Sequence, residues 1–388
     1  MRPYERTHPW LTFKADLEKA SPHLWVMLGE CQSKCHHLSW VPLRPDVAQE
    51  MHRVYLAKGS LGSAAIEGNT LTEEQVEQML KGELKLPKSQ EYLAQEVDNI
   101  IAACNEIGDT LLKSQPPQCN VERIKDLHTR VFRDLGYEEE SGLPPGAFRH
   151  ESVGVGRYRG VPAEDCEYLV NRLCNWLSDL IDQDHFSVVM PILKAILAHL
   201  YLAWIHPFPD GNGRTARLIE FQILSAAGIP TPACHLLSNH YNLTRSEYYR
   251  QLDRASKSGG DVLPFIEYAV SGFQDGLKGQ LEWIRRQTWD VVWRNYVHEK
   301  LGNRRGPTWD RRRHLVLDLS VHENSIPVSR LTELSPRVAR EYADKTQKTL
   351  TRDLNALESL QLVQRSSKGV RARIETIRAF LPFAAQPE

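Results

Sequence analysis

Apolar residues recur three and four positions apart through most of residues 44–300, for example at Leu93, Val97, Ile100, Ile101 and Cys104. That spacing lays them on one face of a helix, so the body of the chain is predicted to be mainly α. Helices are expected to begin at Thr72, Val121, Ala163, Val188, Gly213 and Ser246, several behind a cap such as Thr70, or Thr72 with Gln75 three residues on. Another runs from Asp46 and closes on Gly68 and Asn69, both good C-terminal caps. One stretch departs from the pattern. Residues 148–162, FRHESVGVGRYRGVP, alternate valine with polar residues around Gly154 and Gly156, which predicts a short β-hairpin projecting between helices. Three further helices are expected over 309–321, 329–343 and 345–360, the last with Leu350, Leu354, Leu357 and Leu360 in register. A basic stretch with a turn at Gly369 follows them. The run GNRRGP at 302–307 concentrates glycine, proline and charge and is the expected linker.

A chain of 388 residues suggests two or three domains. With 41% hydrophobic and 25% charged residues it has a globular composition, which excludes wholesale disorder. The longest apolar run, residues 195–205, carries His199 and is far shorter than the roughly 20 residues of a membrane span. The first thirteen residues mix Arg2, Glu5, Arg6 and His8 with proline, unlike a secretory leader, so a cytoplasmic protein without membrane contact is expected. Seven scattered cysteines argue for reduced thiols, and Cys31, Cys35, His36 and His37 are too crowded for a zinc module. The net charge of −1 hides an asymmetry: residues 304–388 hold 16 Lys and Arg against 10 Asp and Glu, leaving 32 against 39 before them. A nucleic-acid-facing C-terminal module therefore stays open, because local basic density governs counterion release.

The richest chemistry lies in residues 206–217, HPFPDGNGRTAR. A strongly apolar segment delivers His206, Pro207 and Pro209 stop the helix, and Gly211, Asn212 and Gly213 turn the chain into the next one. The start of that helix offers free backbone N–H groups and the positive end of its dipole, and the two glycines let a phosphate approach closely. Arg214 and Arg217 share one face of its first turn and can grip one oligophosphate. Asp210 is a hard oxygen ligand suited to Mg²⁺, and His206 is a base near neutral pH. Together they suit transfer of a phosphorus group to a hydroxyl. The order of a Walker A loop is absent.

These residues fit H-x-F-x-[DE]-G-N-G-R-x-x-R, the motif of Fic (filamentation induced by cAMP) proteins, at every fixed position, and the chain resembles that family over residues 20–290. The resemblance implies a Fic-type helical core with a short β-hairpin flap that binds ATP with Mg²⁺ and moves AMP to a Ser, Thr or Tyr hydroxyl of a target protein, the protein itself being one candidate target. His206 would take the hydroxyl proton, Phe208 would anchor the loop, and Asp210 would hold Mg²⁺. Asn212 and the N–H groups of Gly211 and Gly213 would hold the α-phosphate, and Arg214 and Arg217 the β- and γ-phosphates. The Doc branch, which phosphorylates, typically has Lys at the place of Gly213, which favours AMP transfer. The hairpin falls where the family has its target-docking flap, with Val153 and Val155 as candidate docking residues through main-chain hydrogen bonds. Tyr248 and Tyr249, in RSEYYRQL, resemble the nucleotide-side helix and are candidate adenine contacts. Homodimers are frequent in the family and are expected here.

Residues 63–68 read SAAIEG and place Glu67 in the last turn of the helix from Asp46. A carboxylate at that negative end costs about 0.3–1 kcal/mol unless a cation answers it, so something positive should face Glu67. The segment also resembles the family's inhibitory [ST]-x-x-x-E-[GN] helix, in which Ser63 and Glu67 occupy the fixed positions. Its glutamate would pair with Arg217, deny that arginine to the γ-phosphate and leave the α-phosphate misaligned for attack. In some relatives the same glutamate positions water that removes AMP, which implies a candidate reverse reaction.

The C-terminal pattern resembles a winged helix-turn-helix, with Lys345, Lys348 and Arg352 on its recognition helix and Lys368, Arg371 and Arg373 on its wing. Three domains are therefore expected: 1–110 with the inhibitory helix, 111–300 the Fic domain, and 308–388 the winged module, a candidate DNA-binding surface. The competing expectation is a DNA-binding regulator whose Fic core only senses nucleotide.

Overall fold

The computed structural model describes residues 1–113, 118–156, 158–180, 186–322 and 324–378. Arg157 of the expected hairpin and residues 379–388 of the expected C-terminal module lie outside the described residues. The chain divides into two compact units, Met1–Glu282 and Trp283–Glu388.

The first unit is built of α1 (Pro3–Thr7), α2 (Pro22–Trp40), α3 (Pro45–Ile66), α4 (Glu73–Leu80), α5 (Glu91–Lys113), α6 (Val121–Val131) and α7 (Tyr137–Ser141), then the hairpin β1 (Gly154–Val155) and β2 (Tyr158–Arg159). After the hairpin come α8 (Cys166–Asp179), α9 (Val189–Ile205), α10 (Asn212–Ala226), α11 (Thr231–Cys234), α12 (Leu236–Leu243), α13 (Arg245–Lys257) and the first part of α14 (Leu263–Leu301). Most starts lie within a residue of the sequence expectation. The exception is α8, where a 3-10 turn over Ala163–Asp165 precedes the α-helix at Cys166. Local chemistry explains the starts: Thr72 and Gln75 form a reciprocal capping box on α4, and Asn120 accepts the Arg123 N–H at the head of α6. The helix α2 was not expected. It starts at Pro22 behind a Ser21 cap and buries Leu24, Met27, Leu28, Cys31, Cys35 and Leu38.

The middle of the unit is α9, whose residues are nearly all buried and which packs chiefly on α10. A helix with no polar face has to lie inside a protein, and this one does. Around the pair, α5 and α6 pack on α10, α8 packs on α9, and α3 lies against α12 and α5. The hairpin pairs Gly154 with Arg159 and Val155 with Tyr158, antiparallel, around Gly156 in the left-handed region at φ 58°.

The second unit contains the last turns of α14, then α15 (Pro307–Leu319), α16 (Pro336–Tyr342), α17 (Gln347–Ser359) and the hairpin β3 (Val363–Ser366) and β4 (Gly369–Ala372). The division at Glu282/Trp283 falls inside α14 rather than at residues 302–307, because Trp293, Val297 and Leu301 belong to the core formed with Leu315, Leu354 and Val370. Gly302 and Gly306, at φ 54° and 100°, instead form a tight turn within that unit. The expected helix over 329–343 is split into a 3-10 turn, Val328–Glu333, and α16, since Pro336 removes a backbone donor and Ser335 starts a new cap. Asp353 is buried and answered by Arg311 and Arg312 at 2.8 and 2.7 Å and by the Tyr342 hydroxyl at 2.9 Å. No helix among the described residues is long and apolar enough to cross a membrane, and the cysteines are all free.

Candidate active site

The helix α9 ends at His206, whose φ of 52° turns the chain out of the helix while its N–H still bonds Leu202 at 2.9 Å. A residue before proline avoids the right-handed helical region, and a non-glycine residue at positive φ is uncommon outside functional turns. Phe208 is fully buried and stacks on His128 with ring centroids 3.8 Å apart. The His128 Nδ1 accepts the Gly146 N–H at 2.8 Å, so its Nε2 carries the hydrogen and donates to the Asp210 carbonyl at 3.0 Å. Burial pushes the His128 pKa down to about 4, which keeps this strut neutral. Asn212 closes the loop from within: its Oδ1 accepts the Phe208 N–H at 2.9 Å and its Nδ2 donates to the Phe208 carbonyl at 2.8 Å. Its side chain is thus committed to the loop, and what Asn212 retains for an anion is its backbone N–H. Gly211 sits at φ 74°, where a Cβ would lie 2.3 Å from the Phe132 ring.

The His206 Nδ1 lies 3.2 Å from the Ala203 carbonyl, which can only accept, so the hydrogen is on Nδ1 and Nε2 keeps a lone pair. Burial lowers the pKa of this ring, with the Arg149 charge adding to it and the Ala203 bond, Glu67 and Asp210 opposing. His206 is therefore a neutral imidazole at pH 7, in the state a base requires.

Both motif arginines are buried, and each already has an acid. Arg214 bonds Glu96 at 3.0 Å and Asp210 at 2.8 Å and lies over the Phe132 ring. Arg217 donates from Nε to the Ser63 hydroxyl at 2.9 Å and from Nη2 to the Ser63 carbonyl at 2.8 Å and to Glu67 Oε1 at 2.6 Å. Burial would raise the Glu67 pKa, but the charge and hydrogen bond of Arg217 overcome it and hold the carboxyl below its ordinary value. The acid at the end of α3 thus meets the cation that the sequence demanded. Gly213 lies against the same pair, and a Cβ there would stand 2.1 Å from Glu67 Oε1.

A cavity of about 660 Å³ opens over this loop. Of the residues singled out in the sequence, Glu67, Val153, His206, Asp210, Asn212, Gly213, Tyr248 and Tyr249 line it, while Ser63, Arg214 and Arg217 lie buried beside it. Val155 contributes its backbone to β1. Tyr248 is 3% exposed and its hydroxyl meets His199 Nε2 at 2.8 Å, whereas Tyr249 is 39% exposed and can present a ring face. The volume is within the usual range for small-ligand sites. The donors suit a nucleotide triphosphate: the N-terminus of α10 points its N–H groups at the loop, and Arg217 Nη1 is a buried donor without a partner. Asp210 is largely exposed and gives one oxygen to Arg214, leaving the other for a hard cation. No cluster of three or more His, Cys, Asp or Glu side chains among the described residues is placed to hold a metal without such a ligand.

Three site residues were missed from the sequence. Arg149 is 3% exposed and ties hairpin to loop, donating to the carbonyls of His206 at 2.7 Å and Glu151 at 2.6 Å and to that of Val161. Glu96 bridges Arg214 and Asn69, and Asn69 in turn bonds the Leu93 carbonyl and the Leu71 N–H. No spacing rule announces contacts between residues this far apart in sequence. His128 had a weak signal, a histidine on the apolar face of α6.

Residues 118–224 match the family model Fic/DOC family. Protein adenylyltransferase fic-1 of Caenorhabditis elegans is 32% identical over 208 residues, which is 54% of this chain and 38% of the relative. Protein adenylyltransferase Fic of Nematostella vectensis is also 32% identical over 208 residues, 54% of this chain and 44% of the relative. The chain thus spans about two fifths of the length of the curated relatives it matches. Among solved structures, a Fic family protein from Desulfovibrio desulfuricans G20 covers 90% of this chain and 92% of its own at a TM-score of 0.56 and 21% identity. A segment of Fic-1 from C. elegans covers 67% and 72% at 0.54 and 25% identity. The motif loop and both motif arginines fall inside this match, so residues 118–224 are similar to the domains of the Fic/DOC family.

Proposed function

We propose that this chain is a protein adenylyltransferase, moving AMP from ATP to a Ser, Thr or Tyr hydroxyl of a target protein, and that Glu67 restrains it. The observation that carries the reading is the His206 imidazole, its Nε2 unprotonated, at the wall of a cavity whose floor is the N-terminus of α10. The backbone N–H groups of Gly211, Asn212 and Gly213 hold the α-phosphate, where negative charge builds during attack. His206 Nε2 takes the proton as the hydroxyl oxygen forms its bond to the α-phosphorus. The bond from that phosphorus to the bridging oxygen breaks, and pyrophosphate leaves with the electron pair. Arg214 holds the β-phosphate, and Arg217 would take the γ-phosphate once Glu67 lets go. Asp210 would hold Mg²⁺, which supplies charge neutralisation between phosphates when bound. Tyr249 and Tyr248, on the wall away from the loop, are the candidate adenine contacts.

Transfer of AMP rather than phosphate is favoured by Gly213. A side chain there would enter the space of the Glu67 carboxylate and the Arg217 guanidinium, so the lysine of the phosphorylating branch is incompatible with this arrangement. The intact motif weighs against a regulator that only senses nucleotide. The reading is tested by offering the purified protein and a cell extract ATP labelled in either the α- or the γ-phosphate. Label that the purified protein adds beyond the extract alone is expected from the α position only; added γ label that His206→Ala abolishes would replace AMP transfer by phosphorylation.

The second unit reads as a winged helix-turn-helix. Supporting it, three helices precede an antiparallel hairpin with Val363 opposite Ala372, and Ile326 adds a bridge to Val370 as a third strand would. Nuclear Overhauser contacts between residues 326 and 370 are expected, and their absence would remove this reading.

A further inference from the structure

The Fic-type reading leaves residues 2–13 without a task, yet they are among the best anchored in the first unit. Tyr4, His8, Leu11 and Phe13 are each at most 6% exposed. At one end, the Tyr4 N–H and the Arg2 guanidinium both bond the fully buried Asp165 carboxylate, at 2.8 and 3.2 Å, and Arg172 of α8 donates to the Tyr4 hydroxyl at 2.7 Å. At the other end, the Phe13 N–H donates to the Tyr201 hydroxyl of α9 at 3.0 Å. Between these anchors, His8 Nε2 lies 2.8 Å from the carbonyl of Arg159 in β2. A carbonyl only accepts, so Nε2 carries the hydrogen, and Nδ1 is left to accept from the Thr7 hydroxyl at 2.8 Å. The His8 ring also packs on Trp10 and on the edge of Tyr158, centroids 4.9 and 6.1 Å away.

A hairpin of two residues per strand does not hold its own shape in water. This one is held at three places: Arg149 ties its base to the His206 loop, the Tyr158 hydroxyl donates to the Trp204 carbonyl at 2.7 Å, and His8 meets β2. We propose that residues 2–13 are a strap that sets the register of the hairpin over His206, with His8 as the positioning residue. The strap acts on the partner-binding element. The inference rests on the reading of the hairpin as the target dock, because main-chain pairing with a target strand needs an edge fixed to a fraction of an ångström if a hydroxyl is to arrive in line. Its β1 strand has no other strand neighbour among the described residues and is the edge left for the target, β2 being met by the strap.

The test uses the full chain. In His8→Ala, hydrogen exchange at the Gly160 amide, which bonds the Val153 carbonyl at 3.0 Å, is expected to speed up about tenfold, the effect of one lost hydrogen bond. In a Glu67→Gly background the same change should cut AMP transfer to extract proteins about tenfold at unchanged ATP affinity. His8→Gln, whose side-chain amide can donate to the same carbonyl, should restore most of both. Arg2→Ala, a milder release at a half-exposed side chain, should raise exchange by a smaller factor. Gly160 exchange that stays at the parental rate in both His8→Ala and Arg2→Ala overturns the strap. So does a fall in ATP affinity equal to the fall in transfer, since that means damage to the core. If exchange responds but Glu67→Gly transfers no AMP at all, the strap stands and the enzymatic reading fails.

Discussion

Glu67→Gly is expected to raise AMP transfer about tenfold or more, a gain of about 1.4 kcal/mol in transition-state stabilisation for each factor of ten. The Arg217 guanidinium is buried, and its Nη2 is shared between the Ser63 carbonyl and Glu67 Oε1. While that pair holds, a γ-phosphate must displace a carboxylate that is already partly desolvated and charge-paired at 2.6 Å. Removing the carboxylate leaves the cation pinned by Ser63 without the anion that is hydrogen-bonded to it, so a triphosphate would become its partner and the α-phosphate would settle in line with His206. The change has a cost elsewhere. An uncompensated buried charge destabilises by about 3–5 kcal/mol, so Glu67→Gly should melt lower than the parent without nucleotide and recover when ATP is added. Glu67→Gln, which keeps the shape and loses the charge, should fall between the two. Transfer rates measured with α-labelled ATP decide it: an unchanged rate in Glu67→Gly would falsify the brake, and a melting point insensitive to ATP would mean that Arg217 does not bind the γ-phosphate.

The parts of this structure that could be read from sequence are those in which cause and effect lie within a turn or two of each other. Residues 206–217 carry their own stop, turn and start signals, so the loop and the head of α10 follow from the order of Pro207, Pro209, Gly211 and Gly213. The need for a cation opposite Glu67 was equally local, a consequence of the helix end it occupies, although nothing but the family resemblance said that the cation would be Arg217. What stayed hidden was the work of residues that act across the fold. Arg149 reaches three carbonyls spread over more than fifty residues, and Glu96 joins Asn69 to Arg214 with more than a hundred residues between them. Asn212 looked like a phosphate ligand because it stands in the motif, yet its amide is spent on Phe208 four residues back. The helix α2 escaped for a different reason. Its buried positions keep helical spacing, but exposed Trp25 and Val26 blur its apolar face. The division of the chain was misplaced because a glycine-rich charged run is also what a tight turn looks like; only the packing of Trp293, Val297 and Leu301 assigns the end of α14 to the second unit.

His206→Asn is expected to reduce AMP transfer by a factor of about 10² to 10⁴, the usual contribution of a positioned general base, and to leave ATP affinity within about threefold of the parent. The substitution is chosen for the backbone. At φ 52° most side chains are strained, and asparagine is among the few that tolerate the left-handed region, so the loop, the Leu202 hydrogen bond and the grip of Arg149 on the residue 206 carbonyl should all survive. His206→Ala removes the same chemistry with more risk to the turn and serves as the second variant. The two effects should separate because, in the proposed reaction, phosphate would be held by backbone N–H groups and arginines, none of which the imidazole supplies, while the proton of the attacking hydroxyl would pass to Nε2. Burial holds the His206 pKa below its ordinary value, so at pH 7 the ring is already unprotonated, and the loss cannot be attributed to removal of a positive charge from the triphosphate site. Measured in the Glu67→Gly background, transfer that persists within about tenfold of the parent would assign the base to another group. A drop in ATP affinity as large as the drop in transfer would instead make His206 a strut of the phosphate cradle, and the chemistry proposed for the cavity would have to start from a different residue.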